Sequence, residues 1–171
     1  MGDEDKMHQE PQVELRQMTL DQSAEYYANY LPTNRDLPGN RELSSGALPD
    51  AETIKKNLEL HVGKEFFGIY DQWKALVGVI TATPVPHEVA KSAVEIGYVV
   101  DQQYGKRGFA TAAVKQMVAE QSRSHDRIVA AGVVPDNDAS KKILERLGFT
   151  LAGVDDDGKL IYEYVVLSES K

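Results

Sequence analysis

Between residues 66 and 100 the chain carries three apolar runs, 66–70, 75–82 and 94–100, with no helical spacing between them. The last two are separated by the turn-rich Pro84-Val85-Pro86-His87. Strands that follow one another without a helix pair antiparallel, because a parallel neighbour needs a long crossover, usually helical. A doubly wound parallel sheet is therefore the less favoured architecture. With strands first and helices interleaved in the second half, the pattern points to a mixed α/β or α+β layer around a central, mostly antiparallel sheet.

The flanking segments supply the rest of that layer. Val13, Leu15 and Gln17 alternate with Glu14 and Arg16 as a short strand does. Asp21 is placed to cap a helix through Ala24, Tyr27 and Ala28, which Pro32 stops. Residues 33–49, with prolines 38 and 49 and glycines 39 and 46, read as a loop of the length that is often functional. From Asp50, residues Ile54, Leu58, Leu60 and Val62 fit a second amphipathic helix. Phe109, Ala110, Ala113, Val114, Met117 and Val118 give helical spacing over 107–121, and 128–134 is rich in β-branched residues like a buried strand. Ser140, Ile143, Leu144 and Leu147 mark another helix, ended by Gly148. Residues 150–154 and 160–166 form a hairpin through Asp157-Gly158, a dipeptide suited to positive backbone dihedrals.

Composition narrows the function classes. A chain of 171 residues with 42% apolar content suits one domain, here residues 11–171, preceded by an acidic, mobile tail over residues 1–10. Without cysteine there is no disulfide framework, thiolate metal site or cysteine nucleophile, and four scattered histidines make a histidine-rich metal site improbable. No metal is expected. A formal charge of -8 argues against nucleic acid or an anionic membrane surface as partner. The longest apolar stretch, 128–134, is far below the roughly 20 residues of a membrane helix. The N-terminus has neither the basic flank and apolar core of a signal peptide nor a myristoylation pattern, so the expected location is cytoplasmic.

The most informative stretch runs from Glu95-Ile96-Gly97-Tyr98-Val99-Val100 through Tyr104-Gly105-Lys106-Arg107-Gly108-Phe109-Ala110-Thr111, a strand, a Gly/basic turn and a helix start. Gly105 and Gly108 allow a ligand close to the backbone, and the helix-start amides with Lys106 and Arg107 favour an anion. A glycine turn between strand and helix with two solvated cations is the plainer reading of the same residues.

Here the sequence resembles the GNAT superfamily of acyl-CoA-dependent N-acetyltransferases, whose fingerprint after a strand is R/Q-x-x-G-x-G/A. Gly108 and Ala110 match its last two fixed positions, while Gly105 stands where Arg or Gln is usual. Asn137-Asp138-Ala139-Ser140 with Leu147-Gly148-Phe149, and Glu95-Ile96-Gly97-Tyr98, resemble the RimJ/RimL-like branch. The implied fold is a central, mostly antiparallel mixed sheet of six to seven strands flanked by about four helices.

The resemblance also implies roles. Acetyl-CoA is the co-substrate. Its pantetheine arm pairs with freed backbone groups at Tyr98, Val99 and Val100, and the amides of Gly105, Lys106, Arg107, Gly108, Phe109, Ala110 and Thr111 hold its pyrophosphate. Asn137 bonds the pantetheine amide, or else caps the helix that follows it. Transfer needs a neutral amine, a polarised thioester carbonyl and a proton for the departing thiolate. Glu95, a carboxylate in an apolar strand, is the candidate base, acting directly or through water, with an outward-facing strand residue as the plain alternative. A backbone N–H near Val99 or Val100 polarises the carbonyl. Many GNAT enzymes donate the last proton from a Tyr where this chain has Leu144, so Ser140 is the candidate acid, or else a helix-start residue packed near the cofactor.

Without a cysteine or a Gly-x-Ser-x-Gly elbow, direct attack in a ternary complex is expected rather than an acyl-enzyme. The acceptor amine stays open between a protein N-terminus and a small molecule such as a polyamine, an amino acid or an aminoglycoside, and a homodimer is left open too. The 33–49 loop and the second helix are expected to shape its pocket. An α-amine is the easier acceptor, since at pH 7 roughly a tenth of it is neutral against well under a thousandth of a lysine amine. A non-catalytic acyl-CoA-binding module is the reading from another class. Two other matches fail. Residues 153–159 fit G-x-x-x-x-G-K, but Leu160 replaces the needed Ser/Thr and Asp155, Asp156 and Asp157 would repel phosphate, so the segment is a hairpin turn. His87 and His125 have no partner at ligand spacing and read as solvated.

Overall fold

A computed structural model of the chain describes residues 9–40, 46–87, 92–121, 123 and 127–166. Seven strands, β1 (Glu14–Met18), β2 (Glu65–Tyr70), β3 (Leu76–Val85), β4 (Ala93–Val100), β5 (Arg127–Val133), β6 (Thr150–Val154) and β7 (Leu160–Val166), form one sheet in the order β1-β2-β3-β4-β5-β7-β6. Four helices accompany it, α1 (Leu20–Asn34), α2 (Ala51–Glu59), α3 (Phe109–Gln121) and α4 (Asp138–Arg146). Neighbouring strands are antiparallel except β4 and β5, which are parallel. This is the mixed, mostly antiparallel sheet expected from the helix-free 66–100 block.

The parallel pair decides where a site can be. β4 and β5 pair only from Ala93↔Ile128 to Glu95↔Ala130. Beyond Glu95, β4 stays paired with β3 as far as Val100↔Gly78, while β5 stays paired with β7 as far as Val133↔Leu160. The two strands splay apart at the centre of the sheet. Alternation along β4 then divides its side chains between two clusters. Ile96, Tyr98 and Val100 join the main core with Phe109, Val114, Met117 and Leu144 of α3 and α4. Val99 joins the smaller cluster of Ala24, Tyr30, Leu31 and Ile54 under α1 and α2.

Several boundaries differ from the sequence reading. Thr19, not Asp21, caps α1: its Oγ1 accepts from Gln22 N at 3.2 Å and Gln22 Oε1 accepts from Thr19 N at 2.8 Å. Asp21 sits in the first turn and pairs with Lys55 at 2.7 Å. The helix also passes Pro32 and ends at Asn34, because the Asn34 and Thr33 side chains both donate to the Tyr30 carbonyl and hold the last turn. In contrast, α2 stops at Glu59, leaving Leu60 and Val62 78% and 91% exposed. Leu60 lies only two residues beyond Leu58, off the Ile54–Leu58 face, and Gly63 turns the chain at φ 81°. β3 runs on through Pro84, where β2 no longer pairs with it and the missing amide donor can fall on an open edge. Residues 1–8 of the expected tail and His125 lie outside the described residues. Glu10, at the tail's end, is held by Lys115 at 3.0 Å. His87 is not solvated either: its Nε2 lies 3.1 Å from Glu163 Oε1. No described helix is long and apolar enough to cross a membrane.

Candidate active site

The splay opens a cleft lined by Ile96, Gly97, Tyr98 and Val99 on one side and by Ala131, Gly132, Val133 and Asn137 on the other. Past Glu95 the β4 edge that faces β5 has no strand partner. Unpaired strand-edge groups of this kind accept an extended ligand as an added strand, which fits the backbone role expected of Tyr98, Val99 and Val100. The cleft keeps its shape from behind as well. A Cβ on Gly78 of β3 would collide with the Val99 carbonyl oxygen, so glycine there sets how closely β3 supports the cleft edge.

From Val100 the chain enters a short turn, Gln102–Tyr104, and then α3. The first intrahelical bond is Ala112 N to Gly108 O at 3.0 Å, so the amides of Phe109, Ala110 and Thr111 have no helix partner and point from a positive helix end. Lys106, at φ 60°, and Arg107 are exposed beside them. These residues can hold a phosphate. Gly105 adds no free amide, because its N–H donates to Gln102 O at 3.0 Å. Gly108 adopts φ 85°, and a Cβ there would meet Pro11 Cδ at 3.1 Å, so its own backbone demands glycine whatever binds nearby.

Asn34 fixes this turn and was hidden in a stretch that reads as loop. Fully buried, it accepts the Gln102 N–H on Oδ1 at 2.8 Å while its Nδ2 donates to Tyr30 O at 2.8 Å. Asn40 in turn donates to Asn34 O and to Tyr30 Oη, both at 2.9 Å. Two asparagines thus tie the end of α1 to the segment that leads into the helix-start amides. An asparagine four residues past an aromatic, at the head of a polar stretch, carries no signal of burial, so sequence reasoning had no means of finding it.

The catalytic candidates fall around the apex of the cleft. Glu95 closes the β4–β5 ladder opposite Ala130, yet its side chain is exposed, so the burial invoked to make it a base is absent. It faces a cavity of about 620 Å³, whose wall also includes His61, Lys64, Asp155, Asp157 and Lys159. The Asp155–Asp157 turn therefore helps to line a pocket as well as closing a hairpin. Asn137 is the N-cap of α4, its Oδ1 accepting from Ser140 N at 3.2 Å, which leaves its Nδ2 for the cleft. Ser140 Oγ lies 2.7 Å from Tyr98 Oη, a hydroxyl pair spanning the cleft from β4 to α4. Burial raises the Tyr98 phenol above its ordinary pKa, and the bond to Ser140 partly offsets this. Leu144 is fully buried in the core, so α4 brings no hydroxyl to the cleft from that position.

The Tyr98–Ser140 pair and the open β4 edge meet in one cleft, and β4 runs on through the 102–104 turn to the helix-start amides. No group of three or more His, Asp and Glu that could hold a metal occurs among the described residues. Comparison with curated proteins gives no match. Solved structures share the fold. An acetyltransferase from Salmonella typhimurium that modifies the N-terminal serine of a 50S ribosomal subunit protein superposes with a TM-score of 0.68 at 17% identity, over 90% of this chain and 95% of that one. RimJ of Mycobacterium smegmatis, in complex with a CoA disulfide, gives 0.66 at 22% identity over 90% and 81%. A chimera of the spermidine N-acetyltransferase SpeG of Vibrio cholerae with hSSAT gives 0.65 at 14% identity over 91% and 95%. The model of the GNAT acetyltransferase domain matches residues 6–150, and with this fold and cleft the chain belongs to the GNAT family of acetyltransferases, which act with acetyl-CoA.

Proposed function

We propose that this chain transfers the acetyl group of acetyl-CoA to the primary amine of a protein N-terminus or a small molecule, by direct attack in a ternary complex. The observation that carries the reading is the splay after Glu95, which leaves an unpaired strand edge on a strand that runs on toward the free helix-start amides, beside a cavity with a carboxylate in its wall. Bound in the cleft, acetyl-CoA supplies an activated thioester. Tyr98, Val99 and Val100 hold the pantetheine arm through the backbone, while residues 106–111 and Asn137 hold its polar groups. Glu95 takes the proton of the incoming ammonium, directly or through a water, so that a neutral amine attacks. An N–H at Val99 or Val100 stabilises the oxyanion. Ser140 gives its proton to the departing thiolate, and for that Tyr98 must be the donor in the hydroxyl pair.

Calorimetry with acetyl-CoA should show micromolar-range binding and a raised melting temperature, since a ligand of the folded state stabilises it by mass action. Glu95→Gln should keep that binding while kcat falls by about 10²-fold, the usual scale for a lost general base. The deficit should shrink as pH rises and more of the amine is already neutral. Wild-type turnover in Glu95→Gln at neutral pH would remove Glu95 from the role. A wild type that binds acetyl-CoA but releases no CoA with any amine would leave an acyl-CoA-binding module instead.

A further inference from the structure

The cavity beside Glu95 holds two lysines in an arrangement the transfer chemistry does not use. Lys64, between α2 and β2, is half-buried, with its Nζ 5.9 Å from the centre of the Phe66 ring. Lys159, just ahead of β7, lays its stem over Gly132 of β5, where Cδ would stand 3.9 Å from a Cβ. It lines both the cleft and the cavity, and so sits where the two meet. Among the described residues no carboxylate lies within 4 Å of either ammonium, as is also true of the surface lysines Lys74, Lys106 and Lys142, whereas Lys55, Lys56, Lys115 and Lys141 each have one within 2.7–3.2 Å. The chain has 27 acids to 19 bases, so acids are not scarce. Of the carboxylates in the wall, Asp155 is already committed, its Oδ1 accepting the Asp157 and Lys159 amides.

A half-buried ammonium without an anion costs folding free energy. Burial pushes Lys64 below the ordinary lysine range, Glu95 partly restores it and Lys159 lowers it further. Two cations that share the cavity wall with Glu95 and the Asp155–Asp157 turn, at the mouth of the transfer site, suit a ligand with an anion near its amine. Resting on the acetyl-transfer reading above, we propose that the acceptor is an amine with a carboxylate beside it, as in a free α-amino acid, bound with its nitrogen toward Glu95 and its carboxylate between Lys64 and Lys159. The ammonium gives one proton to Glu95, the freed nitrogen forms the new N–C bond, the C–S bond breaks, the thiolate takes a proton from Ser140 and the second proton shed by the nitrogen makes that good, while the carboxylate passes through unchanged. A polypeptide N-terminus offers a neutral carbonyl in that place, and a polyamine offers a second cation that the lysines repel.

The test compares L-amino acids with their carboxamides by CoA-thiol release at equal concentration of neutral amine. At least one amino acid should exceed its amide in kcat/KM by about tenfold or more, the scale of one charge-assisted hydrogen bond. That preference should fall toward parity in Lys64→Met and in Lys159→Met. Equal use of acid and amide by the wild type, or a preference for spermidine or peptides, overturns the proposal. So does a Lys64→Met variant that slows acid and amide in parallel, because Lys64 then serves Glu95 rather than the acceptor. Calorimetry with N-acetyl-amino acids and their carboxamides needs no turnover: tighter binding of the acids by wild type, lost in Lys64→Met, upholds the acceptor class even if acetyl transfer fails, and no such difference sinks it. Lys64→Met should melt higher than wild type, which separates lost recognition from lost folding.

Discussion

Ser140 shows how one bond changes what a residue can be asked to do. As the capping residue of its helix it would matter mainly to stability, but the cap belongs to Asn137 and Ser140 gives only its backbone N–H to that contact. Its hydroxyl is engaged by Tyr98 alone among the described residues. Ser140→Ala should therefore leave CoA affinity nearly intact and lower kcat, by less than Glu95→Gln does, because a thiolate of reference pKa about 8.5 is already a tolerable leaving group. The deficit should narrow further with an acyl donor whose thiol leaves more easily. Unchanged kcat in a destabilised protein would reduce Ser140 to a partner for the Tyr98 hydroxyl. Reading the sequence offered Ser140, Asn137 and Glu95 as candidates, yet the Tyr98 hydroxyl went unnoticed because its partner lies 42 residues away. Lys64 and Lys159 were invisible for the same reason: no local spacing joins a lysine ahead of β2 to one ahead of β7.

Elements were legible where short-range chemistry fixes them and obscure where a distant partner does. The β6–β7 hairpin falls where Asp157-Gly158 places it, with Gly158 at φ 83° and Asp155 bracing the turn. The end of α1 was misjudged, since Pro32 signals a stop while the contacts that overrule it come from Asn34, whose other partner is Gln102. That contact gives α1 a role in the site. Asn34→Ala would leave the part-buried Gln102 N–H without its acceptor and remove a fully buried side chain, so it should cost about 1–3 kcal/mol of stability. The loss should carry into acetyl-CoA affinity too, because Gln102 opens the turn that leads to the helix-start amides. Thermal melting and calorimetry on one preparation check both, and a destabilised variant with wild-type affinity would show that the amides are held without α1. The register of β4 against β5 is the other obscure feature, since two apolar β-branched runs pair equally well over three residues or seven.

At the scale of the whole molecule, burial under α1 predicts a stability limit in alkali. Tyr26, Tyr27 and Tyr30 all have phenol pKa values raised chiefly by desolvation, and the buried Tyr26 hydroxyl has no hydrogen-bond partner among the described residues. The unfolded chain ionises its tyrosines near pH 10 while these three keep their protons, so the folded state binds more protons and stability falls as pH climbs past 10. Below that point they add no pH dependence. Denaturant melts from pH 8 to 11 should decline only in the upper part of that range, and Tyr26→Phe should blunt the decline; a flat profile would show that these phenols ionise freely in the fold. The β4–β5 seam has a wider consequence. With three residue pairs holding β1–β4 to β5–β7, the sheet is two smaller sheets riveted at a point, and the core under α3 and α4, the Tyr98–Ser140 hydroxyl pair and the His87–Glu163 contact also join them. Backbone amides beside such a seam are the first to exchange with solvent by local opening. A molecule lying in the cleft and bonded to both margins would act as the missing rungs of the ladder, so filling the site should slow that exchange on both sides of the seam together.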